Sequence, residues 1–210
     1  MATPTRLSIY NGALEVCGSP SLADLTEDRE ARYLLDEAWD RDTVDGCLES
    51  GFWNHAMRTV QIDYSPSVEP PFGYRRAFDK PTDLKKLVSL CSDEYFRCPL
   101  YQYQDEGNYW FCELDTIYVR FVSNDNSYGM DLSLWPVSFT RFVEATFASR
   151  IIKRLTDGKE DEDTVLGKLK KARTVALSND ALKDPTSFPP PTSWQTGRSG
   201  RRSGRWYERG

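Results

Sequence analysis

Apolar residues between Pro136 and Gly158 recur at every fourth position, which is the spacing of one face of an α-helix. Pro136 is a favoured first-turn residue and Gly158 is a stop signal, so a helix is predicted between them. The residues on the apolar face are Phe139, Val143, Phe147, Ile151 and Leu155. A helix this apolar on one side must pack that side against other elements, which makes it the predicted centre of a core.

Another helix is predicted soon after Gly158. It begins in the acidic stretch 160–163, because carboxylates suit the positive N-terminal end of the helix dipole. Its inward residues are predicted to be Val165, Leu169, Ala172 and Ala176. The cations of this segment lie mostly away from that face, and they are Lys168, Lys170, Lys171 and Arg173. The two helices should therefore form a hairpin with a charged outer surface.

Two more helices are predicted near the N-terminus. A short one lies between Thr5 and Gly18, and a longer amphipathic one runs from about Thr26 to Gly51. The apolar positions of the longer helix are Ala31, Leu34, Leu35, Ala38, Val44, Cys47 and Leu48. Both patterns indicate helices with one buried face.

The middle of the chain, from about Arg58 to Asn124, has prolines and short alternating segments instead of helical spacing, which indicates β structure. Residues 100–104 and 109–112 flank a polar turn at 105–108 and are predicted to form a hairpin. A further strand with Ile117, Val119 and Phe121 on one face is expected to pair in the same sheet.

The order of these elements predicts an α+β fold. We expect a mainly α-helical bundle of about four helices, an inserted small antiparallel β domain and an extended C-terminal arm. The predicted boundaries are 1–57 and 133–184 for the helical bundle domain, 58–132 for the β domain and 185–210 for the arm. The arm is rich in Pro, Gly, Ser and Arg, a composition that cannot bury enough apolar surface to fold alone.

Composition favours a protein of the cytosol. No apolar run approaches the roughly 18 residues that a membrane-spanning helix needs, and the first residues lack the apolar stretch of a secretory signal. Five widely spaced cysteines in a 210-residue chain are expected to be reduced and mostly buried. We therefore expect a soluble protein that has no membrane partner.

Charge divides the chain into two parts. The net charge is −5, but Pro185 to Gly210 contain five Arg and one Glu, so this segment carries +4 and residues 1–184 carry −9. An acidic body with a basic tail indicates that the tail docks on something acidic, either nucleic acid or another protein.

Residues with catalytic or metal-binding patterns are scarce. The chain has one histidine, His55, and no Cys pair with the two-residue gap of a zinc motif. The phosphate-binding Gly-Lys-Ser or Gly-Lys-Thr sequence is absent, since Gly167-Lys168 is followed by Leu169, and the polar stretch 124–129 departs from a calcium loop. We expect His55 to pack or hydrogen-bond, and we predict no catalytic, cofactor-binding or metal residues. The chain is predicted not to be an enzyme.

The C-terminal arm is the segment whose composition calls for a partner. It combines guanidinium groups with aromatic rings at Trp194, Arg198, Arg201, Arg202, Arg205, Trp206 and Tyr207. Such residues are typical of protein interfaces, but they also suit nucleic-acid binding or a disordered solubilising terminus. These three interpretations stay open on composition alone.

Five segments of the chain form an ordered set of motifs: Leu7–Leu14 followed by Gly18, Ala31–Trp39, Gly51–Ala56, Pro71–Phe78 and Lys80–Asp83. The order of these motifs, over residues 5 to 182, resembles the head-to-tail adaptors of short-tailed bacteriophages, the tail tubular protein A family. None of the motifs is catalytic, so the resemblance depends on their joint order.

The resemblance implies a ring of twelve copies at the portal–tail junction of the virion. It implies that the helical part forms the ring wall, that the arm grips the portal protein, and that a tail tube or nozzle protein binds the opposite rim. Genomic DNA would pass through the ring, where an acidic surface would repel its phosphates. Two alternatives remain: an adaptor-like tail protein with peptidoglycan hydrolase activity, and a nucleic-acid-binding protein that acts through its basic arm.

Overall fold

The computed structural model describes residues 3–70, 72–155 and 162–183. Its α-helices are α1 (Arg6–Val16), α2 (Glu30–Asp40), α3 (Thr43–Glu49), α4 (Val137–Leu155) and α5 (Glu162–Ala181). Its strands are β1 (Met57–Asp63), β2 (Arg76–Asp79), β3 (Leu84–Cys91), β4 (Gln104–Glu106), β5 (Tyr109–Cys112) and β6 (Thr116–Ser123). The fold is α+β, as predicted: α4 packs against the four other helices, and these strands lie between α3 and α4 in the chain.

The first helix begins at a capping box. Thr5 Oγ1 accepts a hydrogen bond from Ser8 N at 3.2 Å, and Ser8 Oγ accepts one from Thr5 N at 2.8 Å. These two bonds satisfy backbone donors that a helix N-terminus otherwise leaves unpaired. The helix therefore starts at Arg6, within the predicted segment.

The predicted continuous helix from Thr26 to Gly51 is wrong, because the chain forms two helices there, α2 and α3. Asp42 separates them with φ +56°, in the left-handed region that Asp tolerates better than most residues. Thr43 begins α3, and its hydroxyl donates a hydrogen bond to Ala38 O, near the end of α2. The apolar face continues across the break, so the periodicity alone did not reveal it.

The strands form two three-stranded antiparallel sheets with orders β1-β6-β3 and β2-β5-β4. The predicted hairpin is confirmed as β4 and β5, in which Glu106 pairs with Tyr109 around Gly107 and Asn108. Gly107 has φ +54°, a value that glycine adopts readily in a two-residue hairpin turn. The first strand of the predicted hairpin is misplaced, because β4 shares only Gln104 with the predicted 100–104 strand and includes Asp105 and Glu106 of the predicted turn.

The predicted pairing of β6 with this hairpin is wrong, since β6 lies at the centre of the other sheet. Its two faces serve different cores: Phe121 packs in the sheet cluster, whereas Val122 packs in the helical cluster. Alternation along a strand specifies which residues share a face but not which strands are neighbours. The domain boundaries stay a prediction, although two hydrophobic clusters are present.

The helical core is organised by aromatic side chains along α4. Phe139 contacts the Trp53 ring edge-on with 4.8 Å between centroids, and Phe147 stacks on Trp39 at 5.7 Å. Such contacts add specific geometry to apolar burial. None of the described helices is long and apolar enough to span a lipid bilayer.

Candidate functional site

His55 lies in the helical core. Its ring is 4.5 Å from the Phe139 ring and 6.3 Å from the Trp53 ring, measured between centroids, and neither nitrogen hydrogen-bonds to a described residue. Burial lowers the pKa of His55 to about 4, and the nearby charge of Lys183 lowers it further in the same direction. At neutral pH the imidazole is an uncharged packing group.

The five cysteines are free thiols, and four of them are buried. Burial raises the pKa of Cys47 to about 11, although a hydrogen bond with Thr146 Oγ1 at 3.4 Å and the charges of Arg150 and Arg173 oppose the rise. Within the described residues, no group of His, Cys, Asp and Glu side chains could hold a metal ion.

Residues 124–129, whose sequence does not match a calcium-binding loop, form a polar turn. Asp125 Oδ1 accepts a hydrogen bond from Ser127 N at 2.9 Å, and Gly129 O accepts one from Trp135 Nε1 at 2.8 Å. These bonds hold the connection between β6 and α4, so the segment has a structural explanation.

Charge is distributed unevenly over the described body. Residues 1–136 contain 12 Lys or Arg and 23 Asp or Glu, a net charge of −11, whereas α4, α5 and the two residues after α5 carry nine cations and four carboxylates, a net charge of +5. The negative charge of the acidic body therefore lies outside α4 and α5. We refer to residues 137–155 and 162–183 as the basic hairpin.

Most cations of the basic hairpin form no ion pair with a side chain in the described part of the chain. Of the 12 Lys and Arg residues before α4, nine form ion pairs, but within the basic hairpin only Arg154 and Lys183 do so with described residues. The other seven are Arg141, Arg150, Lys153, Lys168, Lys170, Lys171 and Arg173. Unneutralised charge of one sign attracts partners of the other sign.

An apolar groove runs between α4 and α5. It has a volume of about 500 Å³, and its apolar lining includes Val137, Ala172 and Val175. Val137 is 52% exposed and Val175 is 46% exposed, which is high for valine in a helix pair. Three cations also line the groove: Arg141, Lys168 and Lys171. We call this site the basic groove; its chemistry suits an acidic segment that has an apolar side chain at its centre.

One of its cations is held in place. Lys168 Nζ donates a hydrogen bond to Val16 O, the last residue of α1, at 3.1 Å. This contact satisfies a carbonyl that the end of α1 leaves without a helical partner. It also fixes a positive charge at the rim of the groove.

A second basic cleft, of about 340 Å³, lies on the α3 side of α5. Its cations are Arg150, Lys170 and Arg173, and no carboxylate lines it. Arg150 Nη1 donates to Arg41 O at 3.1 Å, and Arg173 Nη2 lies 3.5 Å from Ser50 O. Unneutralised cations therefore lie on both sides of α5.

Glu144 occupies the contact between α1 and α4. Its carboxyl group lies directly against Gly12, where a Cβ atom would overlap it. Burial raises the pKa of Glu144 to about 7; Arg141 opposes this rise and Glu15 adds to it. A side chain at position 12 would therefore displace the Glu144 carboxyl group from this position.

The predicted portal-binding residues, from Trp194 to Tyr207, lie outside the described residues. The last described turn, however, is anchored: Asp180 near the end of α5 accepts a hydrogen bond from Asn54 N at 3.0 Å. The chain therefore leaves α5 beside the segment Gly51–Ala56.

Sequence reasoning did not identify the basic groove. Arg141 and the two lysines are far apart in the chain, and only packing of α4 on α5 brings them together. The positive net charge of residues 137–183 could nevertheless have been counted from the sequence, and it would have pointed to this part of the chain. No protein-family model and no curated protein matches this chain.

Proposed function

We propose that this protein is a head-to-tail adaptor of a short-tailed bacteriophage, a structural virion protein that forms a ring between the portal and the tail. The observation that carries the proposal is the contrast between the basic hairpin and the acidic residues 1–136. A protein with two such surfaces is suited to contacts with other proteins, including its own copies. The resemblance indicates which assembly those contacts serve.

Two of the segments that carry the resemblance pack against each other, which supports the proposal. Tyr10, in the Leu7–Leu14 segment, contacts Trp39 of the Ala31–Trp39 segment edge-on, with ring centroids 6.1 Å apart. Arg6 lies over the same Trp39 ring at 5.0 Å. Motifs that are separate in sequence therefore belong to one structural unit.

The charge contrast also indicates which surface of the subunit would face the proposed DNA channel. A passage for DNA should carry negative charge, because like charges repel the phosphates and let the duplex slide. On this proposal the lumen is lined by acidic surface of residues 1–136 that lies outside the contacts between subunits, and the basic hairpin faces protein partners. Neutralising lumen-facing carboxylates should then slow DNA ejection, and unchanged ejection kinetics would argue against this orientation.

Electron microscopy of the purified protein, with and without the portal protein encoded in the same genome, tests the proposed function. We expect rings of fixed symmetry that cap the portal. A persistent monomer that does not bind the portal and clears peptidoglycan in a zymogram would instead support the hydrolase alternative.

Deletion of residues 188–210 tests the role of the arm. We expect the truncated protein to keep the circular dichroism spectrum of the intact chain but to lose binding to the portal. A truncated protein that still caps portal rings would show that the arm is not the portal contact. Salt-sensitive binding of the isolated arm to duplex DNA would favour the nucleic-acid alternative.

A further inference from the structure

The basic groove has a complementary surface elsewhere on the same chain. In the loop before α2 and in its first turn, Leu25 is 39% exposed and Tyr33 is 53% exposed. Exposed carboxylates of Asp24, Asp28 and Glu30 accompany these two side chains. We call these five residues the acidic patch: like the groove, it combines apolar side chains with charge, but the charge has the opposite sign. The two cations of the same segment, Arg29 and Arg32, are paired with Glu27 and Asp36.

Local contacts order the acidic patch. The Tyr33 hydroxyl donates a hydrogen bond to Asp28 Oδ1 at 2.9 Å, and the Arg32 guanidinium lies 3.9 Å from the centre of the Tyr33 ring. Asp24 Oδ1 accepts hydrogen bonds from Thr26 N and Thr26 Oγ1, both at 2.7 Å. A surface whose side chains are already ordered loses less conformational entropy when it binds.

The two surfaces lie on different sides of α4. Helix α2 lies along one side of α4. Trp39 stacks on Phe147, and Arg154 donates a hydrogen bond to Glu37. Leu34 and Ile151 line one cleft between the two helices. The basic groove instead follows Val137, Ser138 and Arg141, which have a different phase around the helix. A contact between the patch of one copy and the groove of another is therefore head-to-tail, an arrangement that forms a ring where the rotation between copies closes and a filament where it does not.

We propose that the basic groove of one copy binds the acidic patch of a second copy of this chain. Leu25 and Tyr33 enter the apolar floor formed by Val137 and Val175, and the surrounding carboxylates meet Arg141, Lys168 and Lys171. This inference rests on the proposed ring, for which it names the contact between neighbouring subunits.

Charge distinguishes this occupant from two others. Residues 184–210 of the chain carry five Arg against one Asp and one Glu, so they have the same sign as the groove and are repelled by it. A nucleic-acid backbone would match the sign, but it would leave the exposed valines without an apolar partner. The acidic patch satisfies both the charge and the apolar floor.

A charge-swap experiment on the full-length chain tests the contact. One variant, Lys168→Glu with Lys171→Glu, makes the groove acidic; the other, Asp28→Lys with Glu30→Lys, makes the patch basic. Association is measured by sedimentation velocity at about 0.05 M salt, where screening is weak, and at protein concentrations up to about 1 mM so that weak contacts register. Circular dichroism checks that each variant is folded.

We expect the unmodified chain to associate and each variant alone to associate about 100-fold more weakly, because like charges then face each other. An equimolar mixture of the two variants should recover association, since the acidic groove of one then meets the basic patch of the other. A control variant, Lys170→Glu with Arg173→Glu, reverses two charges on the opposite side of α5 and should associate like the unmodified chain.

Several results would overturn the contact. These are a monomeric unmodified chain at the highest concentration, variants that associate normally, or a mixture that recovers nothing. Loss of binding to labelled duplex DNA in the groove variant, without a change in sedimentation, would assign the groove to nucleic acid instead.

The ring itself can fail or survive independently. Portal-capping rings of unchanged symmetry from both variants would keep the proposed function and reject this contact. If mixing the two variants restores association but the unmodified chain never caps the portal, the contact stands and the adaptor role is rejected.

Discussion

Asn54 binds Asp180 across 126 positions of the chain. The backbone N–H of Asn54 donates to Asp180 Oδ2 at 3.0 Å, and its side-chain Nδ2 donates to Asp180 O at 3.2 Å. Asn54 lies between α3 and β1, whereas Asp180 is in the last turn of α5. The pair therefore fastens the end of α5 to the junction between the helices and the sheet.

Replacement of Asp180 by Ala should lower the free energy of unfolding by about 2 kcal/mol, because the Asn54 N–H then loses a charged acceptor in a partly buried site. Urea unfolding monitored by circular dichroism measures this change. Ser178→Ala, at an exposed position two residues before Asp180, should leave stability nearly unchanged. Equal stabilities for the two variants would mean that Asn54 does not hold α5.

Two glycines should respond to alanine in opposite directions. A Cβ atom at Gly129 would overlap Ser123 O, so Gly129→Ala should destabilise the fold by about 2 kcal/mol or more. Gly46 lies inside α3 with open space around it, so Gly46→Ala should stabilise by about 0.5–1 kcal/mol, through lower chain entropy in the unfolded state. Thermal unfolding of both variants measures the difference, and a shift of the same sign in both would contradict the packing at the 124–129 turn.

Helix α4 could be predicted from sequence because its signal lies within one segment. The ladder from Phe139 to Leu155 needs no information about neighbours, and the helix was found where the ladder is. The break at Asp42 was missed, because a single left-handed residue leaves the apolar pattern on both sides intact. Whether Asp takes that conformation depends on tertiary packing, which periodicity does not report.

Contacts between residues that are distant in the chain could not be predicted from the sequence. The alternation of β6 predicted its buried face but not its place between β1 and β3. In the same way, the lysines of α5 were predicted to point outward, but their convergence with Arg141 depends on how α5 lies on α4. The surface that supports the proposed function is therefore a tertiary property.

His55 should make the protein less stable in mild acid. Its pKa in the folded state is lowered to about 4, whereas an unfolded chain has an ordinary histidine near 6.5. The unfolded state therefore binds more protons between these values, and stability present above about pH 6.5 should fall by about 2–3 kcal/mol as the pH drops towards 4. His55→Phe removes this titration, so the stability difference between the variant and the unmodified chain should change with pH over that window. A constant difference would mean that His55 is not buried as a neutral ring.

Glu144 should make stability change with pH in the direction opposite to that expected for His55. Its pKa in the folded state is raised to about 7 from an ordinary value of 4.5, so the folded state binds more protons between these values and stability should fall as the pH rises through them. Glu144→Gln keeps the shape without the charge and should be more stable than the unmodified chain by about 2 kcal/mol at pH about 8, with little difference at pH about 4. Urea unfolding across this range measures both. A stability difference between the variant and the unmodified chain that does not change with pH would place Glu144 in solvent rather than against Gly12.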